Sequence, residues 1–574
     1  MKNRSNTQKV GDRLKFSTKG TTKVKKKKIV VTSALPYANG EIHVGHVAST
    51  YLPADIFTRY CRLNGHDTIH ICATDDFGTP ILIKAEQEKK KPEDYVAYWH
   101  KRDYEDFTRF GISFDFFYKT SSKENLEFVQ YVFKKLYDNG FIYAKGVIQF
   151  YCENDKKFLP DRYVIGKCPH CGAENQYSDL CEKCSRVPAE IQDAKCAICG
   201  RSPVKKEASH YFFNLSSFAD KLKSWLTSNK NLQEDVRNYV LNWIKDGLQD
   251  WDITRDITWG VHIPLPEAKG KVLYGWFDNH LCYISSAITH LKQKDYDGKD
   301  FWNSADVYHF IGKDIVYHHY LFLPSMRMGI NEEYRLPDYI PTRGHMMLQG
   351  QKISKSRNWY ISLKDFLDIY PADYLRFYLA MITPYSQSDL NFDWDDFGAR
   401  INNELIANVG NFVNRALSFT QSKFNSAVPE PKEQDDVDKE SIDEITKLPS
   451  DIGELLQANE IDRALKRILK FSAHFNQYFQ KKEPWANIKD ANTCIYISVN
   501  AVRSLAIVLE PFIPSSAEKI WEQLNLEGPV HKQNWDSASQ LLIKPKDKIG
   551  IIQPLFKKVA SKEIEVQKSK LGNA

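Results

Sequence analysis

A covered strand that breaks into a turn and then into a histidine-bearing helix start sets the tightest limit on how this chain can fold. Lys28, Ile29, Val30, Val31 and Thr32 are β-branched and apolar after the lysine. That is the pattern of a strand buried on both faces, as in a parallel sheet. Residues 33–40 are rich in turn formers. A helix is predicted to open near Ile42 and to run through Ala48. His43 and His46, three apart, then share a face of its first turn. A strand, loop and helix start in this order presents free backbone N–H groups and a positive dipole end, which favour phosphate. Gly45 leaves no side chain between the histidines, so a nucleotide can approach the backbone. Imidazoles there can donate hydrogen bonds to phosphate oxygens as charge builds up. The plain alternative is a histidine-rich helix start with no ligand.

Some 300 residues later the chain offers mobile positive charge. Lys352 and Lys355 flank Ser354 in a loop that opens with Gly350 and Gln351. Flexible ammonium groups on such a loop can follow a departing pyrophosphate. Otherwise it is a solvated basic loop, the ordinary fate of Lys/Ser-rich stretches.

Six of the eleven cysteines form three C-x-x-C pairs. In an intracellular protein that spacing argues for metal rather than disulfides. Cys168, Cys171, Cys181 and Cys184 read as one tetrahedral zinc knuckle. The third pair, Cys196 and Cys199, needs partners, and Cys152 with Asp155 has the matching spacing with one cysteine replaced. A second site from Cys152, Asp155, Cys196 and Cys199 is expected on that ground, with an empty or partial site as the alternative. A carboxylate can ligate Zn²⁺, although thiolate is the softer and more usual structural ligand. Four protein ligands leave no open position, so neither site is expected to be catalytic.

At 574 residues the chain is long enough for about three to four domains. Eleven Lys/Arg against one Asp fall in residues 1–28, which leaves about −4 for the rest of a chain whose formal net charge is +6. The basicity is therefore local. This stretch has no apolar core and so is not a secretory signal. It reads as a disordered extension; a nonspecific electrostatic arm for RNA is the sharper idea, and an organellar presequence would need an amphipathic helix. No apolar run approaches the length of a membrane span, and a cytoplasmic location is expected.

His43, Val44, Gly45 and His46, followed far downstream by Lys352, Ile353, Ser354, Lys355 and Ser356, resemble the HIGH and KMSKS signatures of class I aminoacyl-tRNA synthetases. Both motifs serve attack of a carboxylate on the α-phosphorus of ATP. The likeness extends through 34–46, 74–80, 251–256 and 308–316 to the methionyl-tRNA synthetase family, nearest its archaeal type. This resemblance implies a ligase that joins methionine to its tRNA through a methionyl-adenylate. It implies an α/β fold: a doubly wound, Rossmann-like parallel-sheet catalytic domain with a zinc-knuckle insertion, then an α-helical bundle that binds the anticodon. The expected segments are a basic extension (1–28), a first catalytic half (29–118), the connective insertion (119–249) and a second catalytic half (250–330). A linking domain with the lysine loop (331–398), the helical domain (399–530) and a C-terminal tail (531–574) follow. No additional RNA-binding domain is evident beyond them.

Carried over position by position, Asp75 would hold the α-ammonium of methionine and Arg255 its carboxylate, a fork being the fitting shape for that group. Tyr37 and Trp276 would wall the side-chain pocket; Tyr283 and His319 would approach the thioether sulfur, a weak acceptor. Ala34 and Leu35 would offer backbone contacts, and Asp314 would lie near the ATP ribose. His43, His46, Lys352 and Lys355 would act on the triphosphate, with Mg²⁺ accompanying ATP. Asn411, Arg415 and Trp485 would read the anticodon: a base can lie on an indole while Arg and Asn bond base edges. Ordinary packing is the alternative for the aromatic residues. The chain departs from the family pattern at Asn279, His280, Leu281, Cys282, His318, Leu323 and Phe77, so the shape of the pocket is less determined than its chemistry. The implied partners are ATP, methionine and tRNA(Met), initiator included; a separate tRNA-binding subunit is left open. Two other functions share these residues: a small-molecule nucleotidylyltransferase, and a non-catalytic tRNA-binding paralogue.

Overall fold

The computed structural model describes residues 26–572 except 179, 180, 182, 185, 187, 189, 275, 332, 487, 489 and 490. Most of the basic extension lies outside the described residues. Five strands form the central sheet: β1 (Lys28–Ser33), β2 (Asp67–Thr74), β3 (Phe116–Lys119), β4 (Asp306–Gly312) and β5 (Thr342–Arg343). Their order is β5-β4-β1-β2-β3, and every neighbouring pair is parallel. Val30 faces Ile69 on one side and Val307 on the other. Ile29, Val30 and Val31 are buried, as their apolar run requires. The chain leaves β1 toward β2 and β3, then returns on the other side at β4. Strand order therefore reverses between β1 and β4, and the crevice at their carboxyl ends is where such a sheet binds ligands.

The helix after β1 begins at Val44, not Ile42, and continues well past Ala48. A first turn (Val44–His46) passes through a wide-turned stretch (Val47–Tyr51) into Leu52–Leu63. His43 is its N-cap, with extended backbone. Helix Pro92–Phe110 links β2 to β3 and stops at Gly111, whose φ of +83° makes the left-handed cap that glycine adopts without strain.

The insertion is a long antiparallel ribbon, Ile142–Cys152 against Val204–Phe213. Beyond its far end sits a three-stranded sheet of Gln176–Tyr177, Val164–Lys167 and Gln192–Cys196. The C-terminal part is helical: Ile401–Gly410 running into Asn411–Lys423, then Asp436–Gln457, Ile461–Lys482, Asn492–Leu509 and Pro514–Gln523. Asn492–Leu509 corrects one expectation, because its 18 residues are long and apolar enough to cross a membrane. They are enclosed by the other helices, where a core helix is apolar all round. The last residues fold back onto the molecule. Trp535 Nε1 donates to the Pro449 carbonyl at 2.8 Å, and Gly572 N donates to the Asn358 carbonyl at 2.9 Å.

Candidate active site

A cavity of about 660 Å³ opens at the carboxyl ends of β1 and β4. Its wall includes Ala34, Leu35, Tyr37, His43, His46, Trp276, Tyr283, Asp314, Lys352 and Lys355. The imidazole pair and the distant lysine strip thus share one chamber.

The His43 and His46 rings stack with centroids 3.5 Å apart. The His43 backbone N–H donates to His46 Nδ1 at 3.3 Å. His46 therefore carries its proton on Nε2 and keeps that donor for a ligand. Burial, then the Lys355 charge, lowers His43 to about 3. Burial, His43 and Lys355 also hold His46 well below the usual imidazole range. Both rings are neutral at pH 7 and act as N–H donors rather than cations.

The lysine loop is fastened to this motif. Leu363 N donates to the Ile42 carbonyl at 2.9 Å, and Val44 N to the Ile361 carbonyl at 3.0 Å. Glu41 accepts hydrogen bonds from Tyr360 Oη and Ser362 Oγ, each at 2.7 Å, and its carbonyl accepts from Lys355 Nζ at 2.7 Å. Burial lowers the Lys355 pKa, while Glu41 and Asp103 oppose the shift. Gly45 has a role beyond the one its sequence position suggests. A Cβ there would lie 2.8 Å from Ile353 Cδ1 and 3.1 Å from the His43 ring, so its bareness seats the loop's isoleucine. Sequence reasoning missed Glu41; its place two residues before His43 was the available signal.

Around Asp75, Asn279 Nδ2 donates to Asp75 Oδ2 at 3.1 Å, and the Tyr37 and Asp75 backbones pair. Gly78, at φ +118°, passes so close to Tyr37 that a Cβ would sit 2.5 Å from its hydroxyl. Tyr283 Oη lies 3.0 Å from His319 Nε2, and His319 Nδ1 lies 3.0 Å from the Ile315 carbonyl. The carbonyl can only accept, so Nδ1 carries the proton and Nε2 accepts from the tyrosine. Trp276, in the left-handed region at φ 74°, lies against His318 with centroids 4.3 Å apart. Asp314 meets His345 at 3.1 Å; burial pushes its pKa up, but that contact outweighs it and the net shift is downward. Asp75, His319 and Arg255 are not among the residues lining the cavity; Arg255 pairs with Asp252 at 3.2 Å and lies over the Tyr274 ring. Asn279, part of the atypical stretch, lines the cavity and bonds Asp75, which sequence reasoning did not anticipate.

Both cysteine clusters assemble. Cys168, Cys171, Cys181 and Cys184 form one group, and Cys152, Asp155, Cys196 and Cys199 the other; within each, the donor atoms lie within 4.8 Å of one another. Sγ–Sγ separations of 3.8 Å (Cys168–Cys184) and 3.6 Å (Cys171–Cys181) match the edge of about 3.8 Å in a tetrahedron with Zn–S bonds of about 2.3 Å. Asp155 Oδ2 stands 3.1 Å from both Cys152 and Cys196 Sγ, the place of the replaced cysteine. Either group could hold a metal ion.

Outside the cavity lining, Asn411 and Arg415, one turn apart, bond Asn476 and Gln480, and Trp485 joins them in one surface patch. The Arg415 guanidinium lies 4.9 Å from the Phe479 ring centroid and 5.6 Å from that of Trp485, which is 45% exposed.

The sequence profile of tRNA synthetases class I (M) matches residues 29–417, and that of the anticodon-binding domain of methionyl tRNA ligase matches 428–574. The methionine–tRNA ligase of Methanopyrus kandleri is 42% identical, over 95% of this chain and 82% of its own length. That of Pyrococcus furiosus is 43% identical over 87% and 72%. The crystal structure of Mycobacterium tuberculosis methionyl-tRNA synthetase bound by methionyl-adenylate superposes with a TM-score of 0.77 at 24% identity, covering 92% of this chain and 100% of that one; the likeness is one of fold. With the motif pair in one cavity and two profiles spanning nearly all of the sequence, the chain belongs to the class I methionyl-tRNA synthetase family.

Proposed function

We infer that this protein ligates methionine to tRNA(Met), initiator tRNA included, in two steps at the cavity between β1 and β4. In the first, a methionine carboxylate oxygen attacks the α-phosphorus of ATP. A C–O–P linkage forms, the α–β phosphoanhydride breaks, and pyrophosphate leaves. In the second, the 2′-hydroxyl of the tRNA terminal ribose attacks the acyl carbon, and AMP leaves. The observation that carries this reading is that His43, His46, Lys352 and Lys355 line one chamber.

Each residue has a task its surroundings support. His46 offers Nε2–H to the phosphates and His43 its own ring N–H, both without a net charge to desolvate. Lys355 is held at the Glu41 carbonyl and would move onto the leaving pyrophosphate. Asp75 would take the α-ammonium, oriented by Asn279. Tyr37, Trp276 and Tyr283 would enclose the side chain, with His319 fixing the Tyr283 hydroxyl. Ala34 and Leu35 would make backbone contacts, and Asp314 would face the ribose. Arg255 would bind the carboxylate only after leaving Asp252 and Tyr274. Mg²⁺, entering with ATP, would neutralise part of the triphosphate charge. Zn²⁺ held by the two cysteine clusters would brace the insertion. Asn411, Arg415 and Trp485 would read the anticodon.

Amino-acid-dependent ATP–pyrophosphate exchange across the twenty amino acids tests the reading. Exchange driven by methionine is the expected result. Exchange with a different acid only would point to a nucleotidylyltransferase, and none at all to a non-catalytic tRNA binder.

A further inference from the structure

The helix Phe277–Lys292 brings one more polar group into the cavity than the chemistry above uses. His280 lines the chamber, is 1% exposed, and neither ring nitrogen has a hydrogen-bond partner among the described residues. Its neighbours are rings: His319 at 4.6 Å between centroids, Trp276 and His318 at 5.7 Å, Tyr283 at 6.3 Å and Phe322 at 6.4 Å. Tyr283 Oη is committed to His319 Nε2 and His319 Nδ1–H to the Ile315 carbonyl, while His318 Nδ1, like the His280 nitrogens, has no partner among the described residues. Burial, reinforced by His319, His318, His309 and Arg327, keeps the His280 ring uncharged. A neutral imidazole still carries one N–H that must be satisfied or left bare. Inside a ring-lined cavity, the partner that can reach it is whatever fills the cavity.

We propose that His280 is a specificity residue, donating its ring N–H to the side-chain acceptor atom of the bound amino acid. The pocket thereby selects a thioether over a hydrocarbon side chain of the same length. This rests on the methionine reading above. Sulfur is a weak acceptor, so the hydrogen bond is modest. Norleucine offers none, and its binding strands the imidazole N–H without water or partner. A site with a buried polar group to satisfy rejects the analogue that leaves it bare.

The test compares kcat/KM for methionine and for norleucine in ATP–pyrophosphate exchange by the full chain, unsubstituted and as His280→Phe and His280→Gln. The phenyl ring keeps the bulk and loses the donor; the amide keeps an N–H. The expected result is a fall of about tenfold in the methionine-to-norleucine ratio for His280→Phe, carried mainly by a lower norleucine KM. His280→Gln should recover most of that ratio. A residue that only packs would slow both amino acids alike and leave the ratio unmoved, which would overturn the proposal. Should His280→Phe not fold, His280→Leu is judged by the same ratio. A preference below about tenfold in the unsubstituted chain also overturns it, with no variant needed. Absence of methionine-driven exchange by the unsubstituted chain refutes the ligase reading and this one with it. Intact exchange with an unaltered ratio in the variants refutes this one alone.

Discussion

Asp75 shows how a single side chain can ask for its ligand. It lies near two other acids: burial first, and then its charge, hold Asp278 well above the carboxylate range, and burial raises Asp76 to about 6. Asp75 itself is pushed up to about 7 by burial; the Asn279 amide pulls it down, and Asp76 pushes it back up. An ammonium group supplied here would neutralise charge that the protein leaves uncompensated. The sign follows directly. Asp75's folded pKa exceeds its unfolded value of about 3.9, so between roughly pH 4 and 7 the free protein holds a proton the unfolded chain has lost, and this group's contribution to stability falls as pH rises. If Asp75 takes the ammonium as proposed, methionine binding runs the other way, because the ammonium needs the ionised form. Methionine affinity, measured by calorimetry without ATP, should weaken by up to about tenfold per unit as pH drops below 7. Asp75→Asn should bind weakly and flatten the profile. An unsubstituted profile that is already flat from pH 5.5 to 8.5 would deny Asp75 this role.

At the scale of elements, what could be read in advance was local. The buried run of β1, the turn after it, the histidine spacing and the C-x-x-C pairs each lie within a few residues, and their chemistry is set by neighbours in sequence. The contacts that turn motifs into a site join distant positions. Glu41 grips Tyr360 and Ser362 more than 300 residues away, and Ile353 seats on Gly45; no periodicity announces such pairs. Helix starts shift for a related reason: the extended His43 backbone pairs with Ser362, so the helix cannot open before Val44. The cysteine-bearing insertion stands between these cases. Its spacing was local, but Asp155 becomes a fourth donor only when the ribbon brings Cys152 beside Cys199, with sulfurs 3.5 Å apart. The sheet around it is small, and its core cluster holds few large side chains, among them Leu159, Tyr163 and Ile191. Small folds of this kind rely on staples. Elemental analysis should therefore find two zinc ions per chain, falling to one in Asp155→Ala. One zinc in the unsubstituted protein would reject the carboxylate-containing site.

Across the whole molecule, the sheet domain that carries the cavity and the helical bundle are joined by a seam of buried bonds. Buried Arg376 bonds Asp55 Oδ2 at 2.7 Å and the carbonyls of Pro511 and Phe512, each at 2.8 Å, while Arg59 reaches Glu510 at 2.6 Å. Removing one partner of a buried pair such as Arg376–Asp55 strands the other charge, so the seam resists hinging. The tail adds a second tie, since Gly572 bonds Asn358 just beyond the lysine loop. Trp485 belongs to neither connection. Nearly half exposed, it lies against Arg415 and the core residue Phe479 at the outer surface. Trp485→Ala should then leave methionine-dependent pyrophosphate exchange and the melting temperature close to those of the unsubstituted chain. It should lower kcat/KM for tRNA charging by about tenfold or more, the scale of one lost base–indole stack. If exchange and charging fall together, the indole is holding the bundle in shape, and base recognition belongs to other side chains. If neither moves, the patch of Asn411, Arg415 and Trp485 is not where the anticodon lies.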